Sequence, residues 1–407
     1  MKRRNIKHKK HKKFWFVLSG LIILLGLTIL SNHIFNRNYN NLSKTDRTML
    51  SQLNMLYSET ELKEKKLWKQ YDLRELPIVL VRKGDCLNFS GDTINLLRGN
   101  AYAIGVKGLE NKWYAQKIDM PASYHLPDVY RLSVLTPGIG ATWSPFGNFQ
   151  TIGSNMKLGE SSHVYYMKYN KKNLEHALKP SQYFVPFLSH ELFHYTIQND
   201  WGTEKEIILS GKSKEWFSYL GLQYASLDVL LGQLNSYDYK ELKRAVADYV
   251  TISEYRKLLD PIDYVEEKKH ETVEGTATYV GIKASSCTDT PKLKLLSGIK
   301  SDKDRKFSVL FSAIAENSGY TSEIKWNRYD SGALLCMTLD RLYHSHVWQD
   351  SLNAQSVKKP VTLYDLIKDY YNTKNLEKYA RSIEEIKKEY HFEKIEEQAE
   401  KIEKQVN

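Results

Sequence analysis

Cysteine is scarce in this chain of 407 residues: only Cys86, Cys287 and Cys336 occur. That excludes a disulfide-dense scaffold and any zinc module built from clustered cysteines. Acidic residues are missing from the first thirteen positions, MKRRNIKHKKHKK, which hold eight cations. The net charge of +11 therefore falls to about +3 for everything beyond them. A near-neutral body with a basic tip lacks the charge pattern of a nucleic-acid binder, which spreads its cations over a folded face. Internal repeats are absent, and so is low-complexity sequence apart from the tip. What remains, 42% hydrophobic and 26% charged, is an ordinary globular composition.

Phe14 to Leu30, FWFVLSGLIILLGLTIL, is a run of seventeen residues without a charge. It predicts a transmembrane signal anchor over 14–34, with residues 1–13 as a cytoplasmic basic tip and an extracellular body beyond. A cleaved signal peptide is the alternative. The following LSNHIFN, however, offers no small-x-small cleavage site, and no cysteine follows for a lipid anchor. The membrane is thus an expected partner, and abundant Lys, Asn, Ile and Tyr suit a bacterial chain from an AT-rich genome.

The expected fold class is α+β. Residues 35–75 read as a polar stalk and a helix. Region 76–170 carries short β-branched or aromatic runs punctuated by Gly, Pro and Asn, the pattern of a small mixed or antiparallel sheet. One of those runs, HVYYMKYN (His163 to Asn170), is a candidate edge strand of a cleft. Region 171–375 has helical periodicity and reads as the catalytic domain, with inserted helices over 201–263. Residues 376–407 place Tyr379, Ile383, Ile386, Tyr390, Ile395, Ala399, Ile402 and Val406 mostly three or four apart. They predict one long amphipathic helix that packs on the body or meets a partner.

The chemistry concentrates in His190-Glu191-Leu192-Phe193-His194, an H-E-x-x-H pattern within an apolar helical context. Positions i and i+4 share a helix face, so both imidazoles can reach one metal ion while Glu191 stands beside it as a base. Zn²⁺ suits two neutral imidazoles and a carboxylate, with a fourth position left for water. A histidine pair that is merely packed or solvated is the bland alternative. Three residues compete for the third position. Asp200 lies six residues after His194, but Ile197 stands where the required turn needs glycine. His270 reads as a solvated residue on a charged helix. Glu274 lies in HETVEGTATYVG, on a second predicted helix.

Here the chain resembles the gluzincins, the zinc peptidases that include thermolysin and the membrane alanyl aminopeptidases. Val273-Glu274-Gly275-Thr276-Ala277 is similar to their Asn-Glu-Gly-x-Ala helix, and Tyr329-Asp330-Ser331-Gly332-Ala333 is similar to their Tyr-x-x-Gly-Ala stretch. The resemblance implies a zinc metallopeptidase that takes peptides or proteins as substrates. In it His190, His194 and Glu274 hold the metal, Glu191 is the general base and Tyr329 donates to the oxyanion. Glu271, one turn before Glu274, is the fallback ligand or an acceptor for a histidine N–H. The interval from His194 to Glu274 is several times the family's, and no Gly-x-Met-Glu-Asn segment is present, so exopeptidase action does not follow. The alternative function is non-catalytic: a gluzincin-like surface binding protein or a membrane assembly protein.

Overall fold

The computed structural model describes residues 12–24, 26–27, 37–61, 66–83, 101–133, 135–143, 148–152, 157–202, 205, 207–234, 236, 238–299 and 301–407. Cys86 lies outside the described residues, and with it the question of a bridge to Cys287. So do the first eleven positions of the basic tip and 31–36 of the stalk.

The transmembrane expectation is corrected. Residues 12–24 and 26–27 are helical. No helix among the described residues is long and apolar enough to cross a membrane. The fold is a mixed α/β body in which helices predominate.

A helix α1 (Lys44–Glu61) precedes six strands: β1 (Ile78–Arg82), β2 (Ala101–Ile104), β3 (Ala115–Lys117), β4 (Val129–Leu132), β5 (Phe149–Thr151) and β6 (Tyr165–Tyr169). They form one sheet in the order β3-β4-β2-β1-β6-β5. Only the β1–β6 pair is parallel. β1 explains its own sequence. Side chains alternate faces along a strand, and here both faces are covered. Ile78 and Leu80 enter the main core, while Val79 and Val81 enter a second cluster with Leu109, Ile139 and Ile152 on the other face. An unbroken apolar run is the result. β6 is paired on both sides, to β1 and to β5. Among the described residues the sheet edges are β3 and β5, so HVYYMKYN is not an edge strand.

The helical part comprises α2 (Lys171–Glu175), α3 (Phe184–Thr196), α4 (Lys214–Gln233), α5 (Tyr239–Leu259), α6 (Pro261–Ser285), α7 (Phe307–Glu316), α8 (Glu323–Tyr343), α9 (Gln349–Asn353), α10 (Leu363–Thr373), α11 (Ile383–Glu389) and α12 (Phe392–Val406). α6 is the axis of this layer, packed by α3, α5, α8 and α10. That position explains why its buried residues include His270 as well as Glu267, Lys268, Glu271 and Thr272, the last four of which find polar partners on neighbouring helices or within α6 itself. α6 meets α8 where Gly275 and Gly332 face each other. A Cβ on Gly275 would lie 2.3 Å from the Gly332 Cα, and one on Gly332 would lie 2.1 Å from the Glu271 carbonyl oxygen. Only glycine permits this approach.

The single C-terminal helix expected over 376–407 is also corrected. A 3₁₀ turn (Leu376–Tyr379), α11 and α12 are separate, and His391 between the last two adopts a left-handed φ of 54°. The apolar face of α12, Ile395, Ala399 and Ile402, is buried. It packs on α4 and α7, and a Cβ on Gly221 of α4 would meet the Ile395 Cγ2 at 2.5 Å.

Candidate metal centre

α3 forms where Phe184, Val185, Leu188, Leu192 and Phe193 line a buried face. Pro186 costs nothing there, because first-turn N–H groups have no intrahelical acceptor. Behind this face Phe193 packs edge-on against Trp68, Tyr71 and Trp201. The Tyr71 hydroxyl donates to the Ser189 carbonyl at 3.0 Å, which fixes the helix backbone one residue before the motif. His190, Glu191 and His194 occupy the opposite, partly exposed face.

α6 brings Glu274 to that face. Its Oε2 lies 3.4 Å from the Nε2 atoms of both His190 and His194, which are themselves 3.0 Å apart. The three side chains are only 16–20% exposed. No other group of three or more potential metal-binding side chains converges this way among the described residues. Glu274 Oε2 is buried and accepts no hydrogen bond of acceptable geometry. Two ring nitrogens and a carboxylate oxygen thus point at one another. Such a set is short of positive charge at its centre.

The electrostatics agree. Burial pushes the Glu274 carboxyl up, but the two imidazoles outweigh it and hold the group well below the usual carboxylate range. Burial also opposes charging of His194, yet Glu274, Gln198 and Glu191 raise its pKa above the ordinary value. A cation between these donors, whether proton or metal, is favoured. Donors held about 2.0–2.1 Å from one tetrahedral ion stand roughly 3.3 Å apart, and the separations here are 3.0, 3.4 and 3.4 Å. The donor set and its spacing fit a first-row transition ion.

Gln198 supports the arrangement and was not singled out by the sequence. Its Oε1 is 2.5 Å from His194 Nδ1, while its Nε2 donates to the Val273 carbonyl and to Thr276 Oγ1 at 2.8 and 2.7 Å. One buried amide thereby ties the His194 ring to the backbone beside Glu274. Its only sequence signal is helical: Gln198 follows His194 by four.

The other predicted residues fall as follows. The Tyr329 ring lies parallel to the His190 ring, with centroids 5.9 Å apart, which places the tyrosine at the site. Glu191 is adjacent on α3 and half-buried. Glu271 is not part of the converging group. Its Oε1 accepts from Ser331 Oγ at 2.5 Å and its Oε2 from Lys268 Nζ at 2.7 Å, so it ties α6 to α8. Asp200 is exposed beyond the end of α3 and outside the group. His270 is buried, not solvated, with its ring edge-on to Tyr329 at 5.9 Å.

No protein-family model matches this chain, and nothing among curated proteins or solved structures matches it.

Proposed function

We propose that this chain is a zinc-dependent peptidase of gluzincin type, which hydrolyses peptide bonds by activated water. The observation that carries the reading is the convergence of His190, His194 and Glu274 from two helices, with the Glu274 Oε2 buried and short of a donor. Two imidazoles and one carboxylate form a preferred donor set for Zn²⁺ with an open position. When bound, that ion would supply a water acidified to near neutrality and an electrophile for the scissile carbonyl.

The chain's own residues carry the remaining work. Glu191, beside His190 on the exposed face of α3, takes the proton of the attacking water on its carboxylate and passes it to the leaving amine. Tyr329, with its ring along His190, presents a phenolic O–H to the carbonyl oxygen as that oxygen gains charge. Gln198 holds the His194 ring in one orientation. Among the described residues β5 pairs only with β6, and its Phe149 packs against Tyr195 of α3 at 5.3 Å. A substrate strand added to the open side of β5 would run beside the metal ligands.

Metal analysis and a peptide-cleavage screen on the full-length protein test this reading. Glu191→Gln should keep one equivalent of zinc and lose at least about a hundredfold in turnover. Glu274→Ala should lose the metal. Stoichiometric zinc in Glu274→Ala, or undiminished hydrolysis by Glu191→Gln, would refute the assignment.

A further inference from the structure

A cavity of about 390 Å³ opens one helical turn from the metal ligands, between the segment after α3 and the N-terminal turns of α8. His270 of α6 lines it, one turn before Glu274 and so roughly 6 Å along the axis. The His270 ring meets Tyr329, and Tyr329 lies along His190, so cavity and metal ligands share one wall. The rest of the lining includes Lys205, Lys325 and Arg328 beside Ile207, Leu209 and Ile324, with no Asp or Glu among the described residues.

Arg328 is the unusual member. Only 7% of it is exposed, and its guanidinium makes no ion pair with a described carboxylate. Glu267 senses its charge, but both Glu267 oxygens are already held by Arg256 at 2.7 and 2.8 Å. A buried arginine without a counter-ion is costly, and its fork is shaped to receive a carboxylate with two parallel bonds.

We infer that this cavity is a substrate subsite that takes a peptide carboxylate, with Arg328 as the residue that selects it. The inference rests on the peptidase reading and narrows it. An extended peptide advances about 3.3 Å per residue, so the carboxylate would belong to a residue within one or two positions of the scissile bond. It is either a C-terminal carboxylate, which would make the enzyme a processor of chain ends, or an acidic side chain.

The test is binding, measured by calorimetry on zinc-loaded Glu191→Gln protein so that nothing is cleaved. The probes are N-acetylated apolar tripeptides as free acids, the matched C-terminal amides, and amides carrying one Glu. Free acids, Glu-containing amides, or both should bind at least about tenfold more tightly than neutral amides, and which of them does so identifies the source. Adding Arg328→Gln should bring the ratio to near one with zinc content unchanged. Lys205→Glu, on the exposed rim, should reduce the preference severalfold in a protein whose core is untouched. Equal binding of acids and neutral amides, absence of binding, or a preference that survives Arg328→Gln would overturn the subsite. Failure of the peptidase reading itself would appear elsewhere, as missing zinc or as no hydrolysis by protein with Glu191 intact.

Discussion

Gln198 is the residue through which the candidate metal centre is held in place. A ligating imidazole can turn about its own bonds, and the partner of its second nitrogen decides which way the first one points. For His194 that partner is the Gln198 side-chain oxygen, fixed in turn because the same amide donates to Val273 and Thr276 on α6. Replacing it with leucine keeps the volume and removes the bonds. Gln198→Leu should therefore bind metal about 10- to 100-fold more weakly, with a stability loss of only about 1–2 kcal/mol. Competition with a chromogenic chelator measures the first and urea denaturation the second. Unaltered metal affinity in a folded Gln198→Leu protein would show that the ring is positioned by something else. The pairing of His190 and His194 on one helix face was legible in the sequence because H-E-x-x-H has a fixed helical geometry. Gln198 was not, because a glutamine four residues after a histidine carries no chemical mark until a second helix lies against it.

At the scale of elements, the glycines of the two family-like segments have a different task from the one their sequence suggests. Small residues directly after Glu274 suggest a close approach to the helix that carries His190 and His194. In fact Gly275 faces Gly332, so it sets the approach of α6 to α8, while α3 meets α6 near Gly281, where a Cβ would lie 3.2 Å from the Pro186 carbonyl oxygen. Gly332→Ala would force its methyl against the Glu271 carbonyl oxygen at 2.1 Å and the Gly275 Cα at 2.7 Å. Backbone cannot yield as a side-chain tip can. The expected cost is about 1–3 kcal/mol or more, together with a displacement of Tyr329 relative to Glu274. Gly232→Ala is the matched control: the same change near the end of α4, where nothing lies within 4 Å, should be neutral or stabilise by up to about 1 kcal/mol. Thermal melts of the two variants decide it, and equal effects would mean that the crossing is looser than drawn.

The element boundaries teach the same lesson. α5, Tyr239–Leu259, is twenty-one residues long, enough for helical periodicity to register above local noise. β3 and β5, three residues each, are too short for any alternation to register. The C-terminal pattern carried its break openly in the interval of five from Tyr390 to Ile395, which an unbroken helix face does not produce.

For the molecule as a whole, the long interval between His194 and Glu274 raises the question of what couples the intervening helices to α6, which carries Glu274. The answer lies at Arg256 near the end of α5. It donates to Gln223 of α4 and makes a two-pronged pair with Glu267 of α6, at 2.7 and 2.8 Å, with both partners almost fully buried. Burial alone would raise the Glu267 pKa, but Arg256 and Lys268 outweigh it and hold the carboxyl far below its ordinary range. The sign of the consequence follows. The folded protein resists protonation of Glu267 more than the unfolded chain does, whose Glu titrates near about 4.3. The pair's contribution is therefore complete above that pH and is lost as pH falls toward the lower folded value. Glu274 is depressed as well, so the acid limb of the wild-type curve mixes the two. The difference between wild type and Glu267→Gln isolates the one. That variant leaves Arg256 buried without its counter-charge and should lose roughly 3–5 kcal/mol near neutrality. Urea midpoints from about pH 7 down to about pH 3 should draw closer below about pH 4, because the unfolded wild-type chain then takes up a proton on Glu267 that the folded protein still resists. A gap that stays constant through the acid range would mean that packing, not charge, links the 201–263 helices to α6, which would then be insulated from them electrostatically.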